Sequence, residues 1–236
     1  AKAQLKRYRQ SVLKSAVEGE LTREWRESKQ GELEPASQLL ERILAERREK
    51  WKVESGKKKY KEPAAPDVEG LPDLPDGWVW ASVAQIAEHR LGKMLDKAKN
   101  KGKPTPYLRN INVRWFEFDL SDIQLMKVTD NELKEVSIRE GDLVICEGGE
   151  PGRSAVWNKK DETFVIQKAL HRVRPAQGVL SKYINYLLAK DAWTGFLKKY
   201  FTGSTIMHFT GRALSTYAVP LPPAIEQQRI VEMVER

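Results

Sequence analysis

The pattern of apolar and polar positions divides the chain into helical ends and a mixed centre. Leu5, Tyr8, Val12 and Ala16 recur at spacings of three and four. That spacing places them on one helix face. It predicts a helix over residues 1–18 that Gly19 stops. Leu39, Leu40, Ile43, Leu44, Arg47 and Trp51 line one side of a second helix over 36–51, with Pro35 suited to its first turn. Glu41, Glu46 and Glu49 alternate there with Arg42, Arg47, Arg48 and Lys50, as on an exposed polar face. Residues 54–77 break the pattern with Lys57, Lys58 and Lys59, then Pro63, Pro66, Pro72 and Pro75. That density of proline suits neither helix nor sheet interior and predicts a linker at a domain boundary.

From Trp78 onward short apolar runs alternate with turn residues. Trp78, Trp80 and Val83 open an extended segment, and strands are predicted at 143–146, 164–166, 170–173 and 217–221. Gly148 and Gly149 mark a tight turn. A helix is predicted over 182–200, capped by Ser181, with Tyr183, Ile184, Leu187 and Leu188 on its apolar face. A last helix starts in PPAIEQQRIVEMVER, with Ile230, Met233 and Val234 beginning its stripe. The fold class expected is α+β: one globular region of mixed strands and helices, with long helices at both ends. No internal repeat is visible. A chain that begins and ends in mid-helix is the expectation for half of a duplicated design.

Composition narrows this picture. The 236 residues are 40% apolar, enough for a folded core. Lys and Arg number 41 against 33 Asp and Glu, a net charge of +8. The charge is uneven: +6 over 1–62, −5 over 63–89 and +5 over 90–103. The last of these, RLGKMLDKAKNKGK, reads as a basic loop and suggests a polyanionic partner. No window approaches the roughly 18 uncharged apolar residues of a membrane span. The lone Cys146 cannot form an intrachain disulfide and reads as a buried small hydrophobe. A cytoplasmic protein with no membrane partner is expected.

Catalytic patterns are thin. The sequence has no GxxxxGK[ST] loop, no GxGxxG after a strand, no GxSxG elbow and no Cys-x-x-Cys near its three histidines. Asp130, Glu132 and Lys134 superficially match the acidic and lysine elements of metal-dependent nucleases, a short pattern that is common by chance.

The strings LKRYRQSVLKSAVEGELTREWR, ASQLLERILAERREKW, LPDLPDGWVWASV, YLRNINV, REGDLVICEGG, GRSAVW and FTGSTIMHFTGRAL, running into VPLPPAIEQQRIVEMVE, resemble the specificity subunits of type I restriction–modification enzymes. The resemblance implies a conserved helical spacer over 1–53, a Pro/Lys-rich linker over 54–77, a DNA target-recognition domain over 78–221 and the start of a second spacer helix at 222–236. It implies an antiparallel coiled-coil spacer, with Leu5, Tyr8, Val12, Ile230, Met233 and Val234 packing between helices. It also implies a non-catalytic subunit that reads one half of an interrupted target in double-stranded DNA. Modification and restriction subunits would dock on it. The chain would bind no cofactor, and its partners would use S-adenosylmethionine, ATP and Mg. A full subunit carries two recognition domains and this chain shows one, so a half-subunit or fragment that pairs as a homodimer is expected.

Candidate DNA-binding residues fall in a basic loop with the segment just after it, and in two further places. Lys93, Lys97, Lys99, Lys101 and Lys103 suit phosphate contact, or a solvated loop. Tyr107, Arg109, Asn110 and Asn112 follow, with Arg and Asn groups suited to base edges or, for Asn, to turn capping. Arg153 and Ser154 sit in GGEPGRS, a close-approach loop or an ordinary hairpin. Thr202, Ser204, Thr205, His208 and Arg212 form the third group, with short hydroxyls suited to the DNA backbone. Two other readings carry different expectations. One is a small nuclease using Asp130, Glu132 and Lys134. The other is an assembly or inhibitory module that captures modification subunits without reading DNA.

Overall fold

The computed structural model describes residues 2–55, 59–96, 98–160 and 162–236, apart from the side chains of Lys2, Lys6 and Ser55. In chain order the elements begin with helices α1 (Lys2–Val17), α2 (Arg23–Ser28) and α3 (Ala36–Ser55). Strand β1 (Val79–Ser82) and the short α4 (Val83–Ile86) follow. Next come β2 (Ala87–Leu91), β3 (Lys103–Leu108), a 3-10 turn (Asn110–Asn112), β4 (Gln124–Val128) and α5 (Asp130–Val136). Strands β5 (Ser137–Ile138), β6 (Leu143–Cys146), β7 (Ser154–Val156), β8 (Phe164–Ile166) and β9 (Leu170–Pro175) lead to α6 (Ser181–Thr194). A second 3-10 turn (Phe196–Tyr200), α7 (Gly211–Thr216), β10 (Ala218–Leu221) and α8 (Ala224–Glu235) complete the order. The α+β expectation holds. None of the described helices is long and apolar enough to cross a membrane.

Two compact units divide the chain: residues 1–87, 175–190 and 215–236 form the first, and 88–174 and 191–214 the second. The first unit therefore includes residues 59–77, where a boundary is expected from the prolines. That segment is tied to its own unit. Tyr60 packs on Trp51 with centroids 6.0 Å apart, Arg48 pairs with Glu62 at 2.9 Å, and Ser82 Oγ donates to the Ala64 carbonyl at 2.7 Å. Lys57 and Lys58 lie outside the described residues.

In the first unit, β1 pairs antiparallel with β10 in the register Val79–Leu221 to Ser82–Ala218. Ser82 then caps α4 in a capping box with Gln85. Arg47 reaches from α3 to the open end of α4 and donates to the carbonyls of Ala84, Gln85 and Ala87. Helix α1 packs against α8. Its buried positions, Leu13, Ala16 and Val17, lie in its last two turns, while Leu5 and Tyr8 stay 51% and 69% exposed. The expected stripe is therefore buried only at its C-terminal end.

Glu226, in the first turn of α8, is fully buried. Thr22 Oγ1 donates to its Oε1 at 2.7 Å, Arg26 Nη1 to the same oxygen at 2.5 Å, and Trp78 Nε1 to its Oε2 at 2.9 Å. Buried Gln227 accepts from Leu180 N–H and donates to the carbonyls of Gly178 and Pro222. The EQ pair thus pins α8 to α2, to the entry of β1 and to the turn before α6.

The second unit holds two four-stranded sheets, ordered β2-β9-β6-β7 and β4-β3-β8-β5. Leu108, Val144, Cys146, Trp157, Phe164 and Ile166 belong to its main core. The helix expected over 182–200 is shorter. It stops at Thr194, because Gly195 adopts φ +81° and a 3-10 turn follows.

Replacing Glu226 by Ala removes the acceptor of the buried Thr22 hydroxyl and Trp78 indole and the counter-charge of the half-buried Arg26. Glu226→Ala is expected to cost about 3–5 kcal/mol, read as a lower urea midpoint. A loss under ~1 kcal/mol would show that the carboxylate is dispensable.

Candidate nucleic-acid interface

The basic segment is less open than its charge suggests. Arg90 lies in β2 and pairs with Glu135 of α5. Lys93 bridges to Gln167, and its half-buried side chain pairs with Glu132. Lys103 opens β3, 4.0 Å from Asp130, and Lys99 lies 3.8 Å from Asp96. Lys93 is therefore engaged, whereas Lys99 and Lys103 are 87% and 85% exposed and Lys101 is also exposed. Lys97 lies outside the described residues.

The same pairs account for the nuclease-like string. Glu132 closes the capping box of α5 with Thr129 while it holds Lys93. The Lys93 ammonium, aided by the Thr129 N–H, holds its carboxyl down to about 2. Lys134 is exposed on the same helix. Among the described residues no group of three or more His, Cys, Asp or Glu could hold a metal ion. Asp130 and Glu132 instead occupy the first turn of a helix and face lysines.

Tyr107 and Asn112 are scaffold residues, which corrects their expected place at the DNA. Tyr107 is 1% exposed near the end of β3, where alternation with buried Thr105 points it inward. Its hydroxyl donates to Gln124 Oε1 at 3.3 Å. Asn112 is 2% exposed and locks its own turn: it accepts from Arg109 N–H and donates to the carbonyls of Asp119 and Asp122. Ser154 is likewise fully buried in β7, opposite Ile145.

The remaining candidates converge on the turn between β6 and β7. Asn110 Nδ2 donates to the Gly148 carbonyl at 2.9 Å, and Arg153 Nη2 donates to the Asn110 carbonyl at 2.9 Å. Phe209 N–H donates to the Glu147 carbonyl at 2.7 Å. A Cβ on Gly148 would stand 3.2 Å from His208 Nδ1, so the loop approaches that backbone closely. Segments 109–112, 148–154 and 202–210 thus meet in one place, although nearly a hundred residues separate the first from the last. Arg109 spends its guanidinium on Asp122, at 2.6 Å to Oδ2. Thr202, Ser204, Thr205, His208 and Arg212 are exposed. Arg109 Nε, Asn110 Oδ1 and Arg153 Nε are buried with no hydrogen-bond partner among the described residues. Such atoms are uncommon in cores.

Aromatic residues beside this turn are missed by reading the sequence alone. Trp115 Nε1 donates to Glu150 Oε1 at 2.7 Å, and Trp193 meets Trp115 and Phe116 edge-on at 6.0 and 6.1 Å. Phe116 adopts φ +70°, a strained conformation for a bulky residue, and stays 40% exposed. The Trp-Phe pair inside the polar NVRWFEFD was the available signal.

Residues 75–236 match the type I restriction modification DNA specificity domain. The chain belongs to that family. It is 28% identical over 240 residues to the EcoAI specificity subunit of Escherichia coli, covering 96% of this chain and 38% of that one. It is 24% identical over 241 residues to the EcoKI specificity subunit of Escherichia coli strain K12, covering 98% and 42%. The chain thus spans about two fifths of these curated relatives. The HsdS subunit from Thermoanaerobacter tengcongensis shares the fold at a TM-score of 0.53 and 20% identity, over 92% of this chain and 46% of that one.

Two buried groups frame the specificity-domain loops. Cys146 is fully buried, as expected, and burial pushes its thiol up to about 11. His171 is fully buried beneath the third loop, its Nε2 2.9 Å from the Phe209 carbonyl. Burial pulls its pKa down from 6.5 to about 4. Between those values the unfolded chain binds a proton that the folded chain refuses. Stability contributed by neutral His171 is therefore present above pH 6.5 and is lost as pH falls from 6.5 towards 4, at up to ~1.4 kcal/mol per pH unit. Glu132, depressed from 4.5 to about 2, extends the loss below pH 4.5. Urea midpoints at pH 7 and pH 5 are expected to differ in the natural chain and to differ less in His171→Gln. Equal pH dependence in both chains would refute the assignment.

Proposed function

We propose that this chain is a DNA-sequence-reading component of a type I restriction–modification enzyme, with no catalysis of its own. The observation that carries the reading is the convergence of three separate strings on the β6–β7 turn. It gathers Asn110, Arg153 and His208 with exposed hydroxyls into one surface. Base-edge donors, a hydroxyl-rich loop and exposed Lys99, Lys101 and Lys103 in one compact unit are the parts that sequence reading and phosphate anchoring require. The second unit serves as the target-recognition domain and reads one half of an interrupted site in double-stranded DNA.

The first unit serves as the spacer. Helices α1 and α8 pack together, and a second copy covers Leu5, Tyr8, Val12, Met233 and Val234, extending the pair into an antiparallel coiled coil. Ile230, already buried, holds α8 in place within one copy. Two copies related by a two-fold axis read an inverted, interrupted target. The modification subunit docks on the helical unit, and the restriction subunit joins that assembly. Methyl transfer and cleavage belong to those partners, which supply the S-adenosylmethionine, ATP and Mg chemistry.

Methylation-sensitive sequencing of DNA from cells carrying this chain with its modification subunit tests the reading. An inverted, interrupted motif is expected. An asymmetric motif removes the two-fold pairing, and no motif removes the recognition role. In the purified assembly, changing Lys99, Lys101 and Lys103 together to Gln is expected to weaken all DNA sequences similarly. The slope of log K against log salt should become shallower by about 0.9 for each phosphate that one of these lysines neutralises. An unchanged slope would take these lysines out of the interface.

A further inference from the structure

Residues 202–208 form a loop closed at its base. Thr202 N–H donates to the His208 carbonyl at 2.9 Å, and His208 N–H donates back to the Thr202 carbonyl at 2.8 Å. Gly203 has φ +103°, and a Cβ there would lie 2.2 Å from the Ile206 carbonyl oxygen, so the turn accepts only glycine. The base is anchored by Phe209, which is fully buried. Its ring packs against Tyr200 and Phe201 at 6.4 and 5.9 Å. Its N–H and carbonyl are held by Glu147 and His171.

On this base stand Ile206 and Met207, 66% and 45% exposed. Ser204 and Thr205, also exposed, precede them. Two adjacent large aliphatic side chains in water at the end of a closed loop are costly unless a partner covers them. The surroundings select the partner's chemistry. A membrane or an apolar protein groove would leave the Ser204 and Thr205 hydroxyls facing apolar surface. DNA offers apolar base faces and thymine methyls flanked by phosphates that accept from hydroxyls. The loop also adjoins Gly148, beside Asn110 and Arg153.

We propose that Ile206 and Met207 form an apolar tip that contacts the bases of the target, with Ser204 and Thr205 bonding the adjacent phosphates. The proposal rests on the recognition reading above and deepens it. Aliphatic side chains contact DNA in two ways: against the thymine methyl in the major groove, or as a wedge against an unstacked base face. Both use the same apolar surface and leave different signatures.

The test uses the full chain with its modification subunit and a duplex carrying the motif that its methylation defines. Ile206→Ser combined with Met207→Ser is expected to weaken target binding roughly 10-fold or more. The salt slope should stay unchanged, because an apolar contact releases no counterions. An unchanged melting temperature separates a missing DNA contact from a misfolded chain, and Met207→Ser alone provides a milder variant if the pair unfolds the loop. Uracil in place of thymine weakens binding of the natural chain if the tip meets a methyl. Bound 2-aminopurine brightens if the tip meets a base face. Unchanged affinity in the double variant overturns the tip while leaving DNA reading intact. So does weakened binding with neither signal. No selective binding by the natural chain overturns the recognition reading and the tip together.

Discussion

The candidate interface depends on one short piece of backbone, the turn after β6. The carbonyls of Glu147 and Gly148 accept from Phe209 and Asn110, two residues from segments far apart in the chain. Arg153, on the far side of that turn, returns a bond to the Asn110 carbonyl. Each bond is worth only about 0.5–1.5 kcal/mol net. Their value lies in geometry, since they bring otherwise separate loops to a common place. The sheet beneath supplies rigidity: β6 is buried at every position and bonded on both sides, by β7 and β9.

A comparable constraint organises the helical unit. A carboxylate without exposure is tolerable only when its oxygens are saturated by strong donors. Glu226 meets that condition with a hydroxyl and a guanidinium from the start of α2 and an indole from the entry of β1. The string PPAIEQQRI, legible as a helix start, is also a lock, and Glu226 and Gln227 are its two polar teeth. Nothing in a linear pattern announces that a Glu in an amphipathic helix points inward. Only its partners, about 150 and 200 residues earlier, make that orientation tolerable.

Much of the fold was legible because it rests on local patterns. Residues 143–146, 164–166 and 170–173 read as strands, and the structure forms them there, with β9 running two residues further. The helices at both ends followed from three-and-four spacing. Short or mixed elements were not legible: β3 contains two prolines, β5 has two residues, and α5 is polar apart from Leu133 and Val136. Among the candidate residues, composition picked side chains for their chemistry, and the fold buries several of them. Tyr107 and Asn112 carry DNA-like chemistry but sit where the β3 pleat and the following turn bury them. The pairing of the basic loop was not legible for a different reason. Arg90 and Lys93 meet carboxylates of α5 that come 45 and 39 residues later, so the local charge overstates what is left unpaired, while Lys99, Lys101 and Lys103 stay exposed.

The way the loops are fastened has a consequence for how such a domain changes its target. The acceptors at the shared turn are main-chain carbonyls, which are present whatever side chain stands at those positions. The bonds that join the three loops run through Asn110, Arg153 and Phe209, outside the outward-facing stretch from Ser204 to Met207. Substitution within that stretch alters the chemistry offered to a ligand and leaves the frame standing. The proposed tip and the framework that holds it are thus separate sets of atoms, and on the recognition reading a new preference can be acquired by point changes at the tip without a new fold.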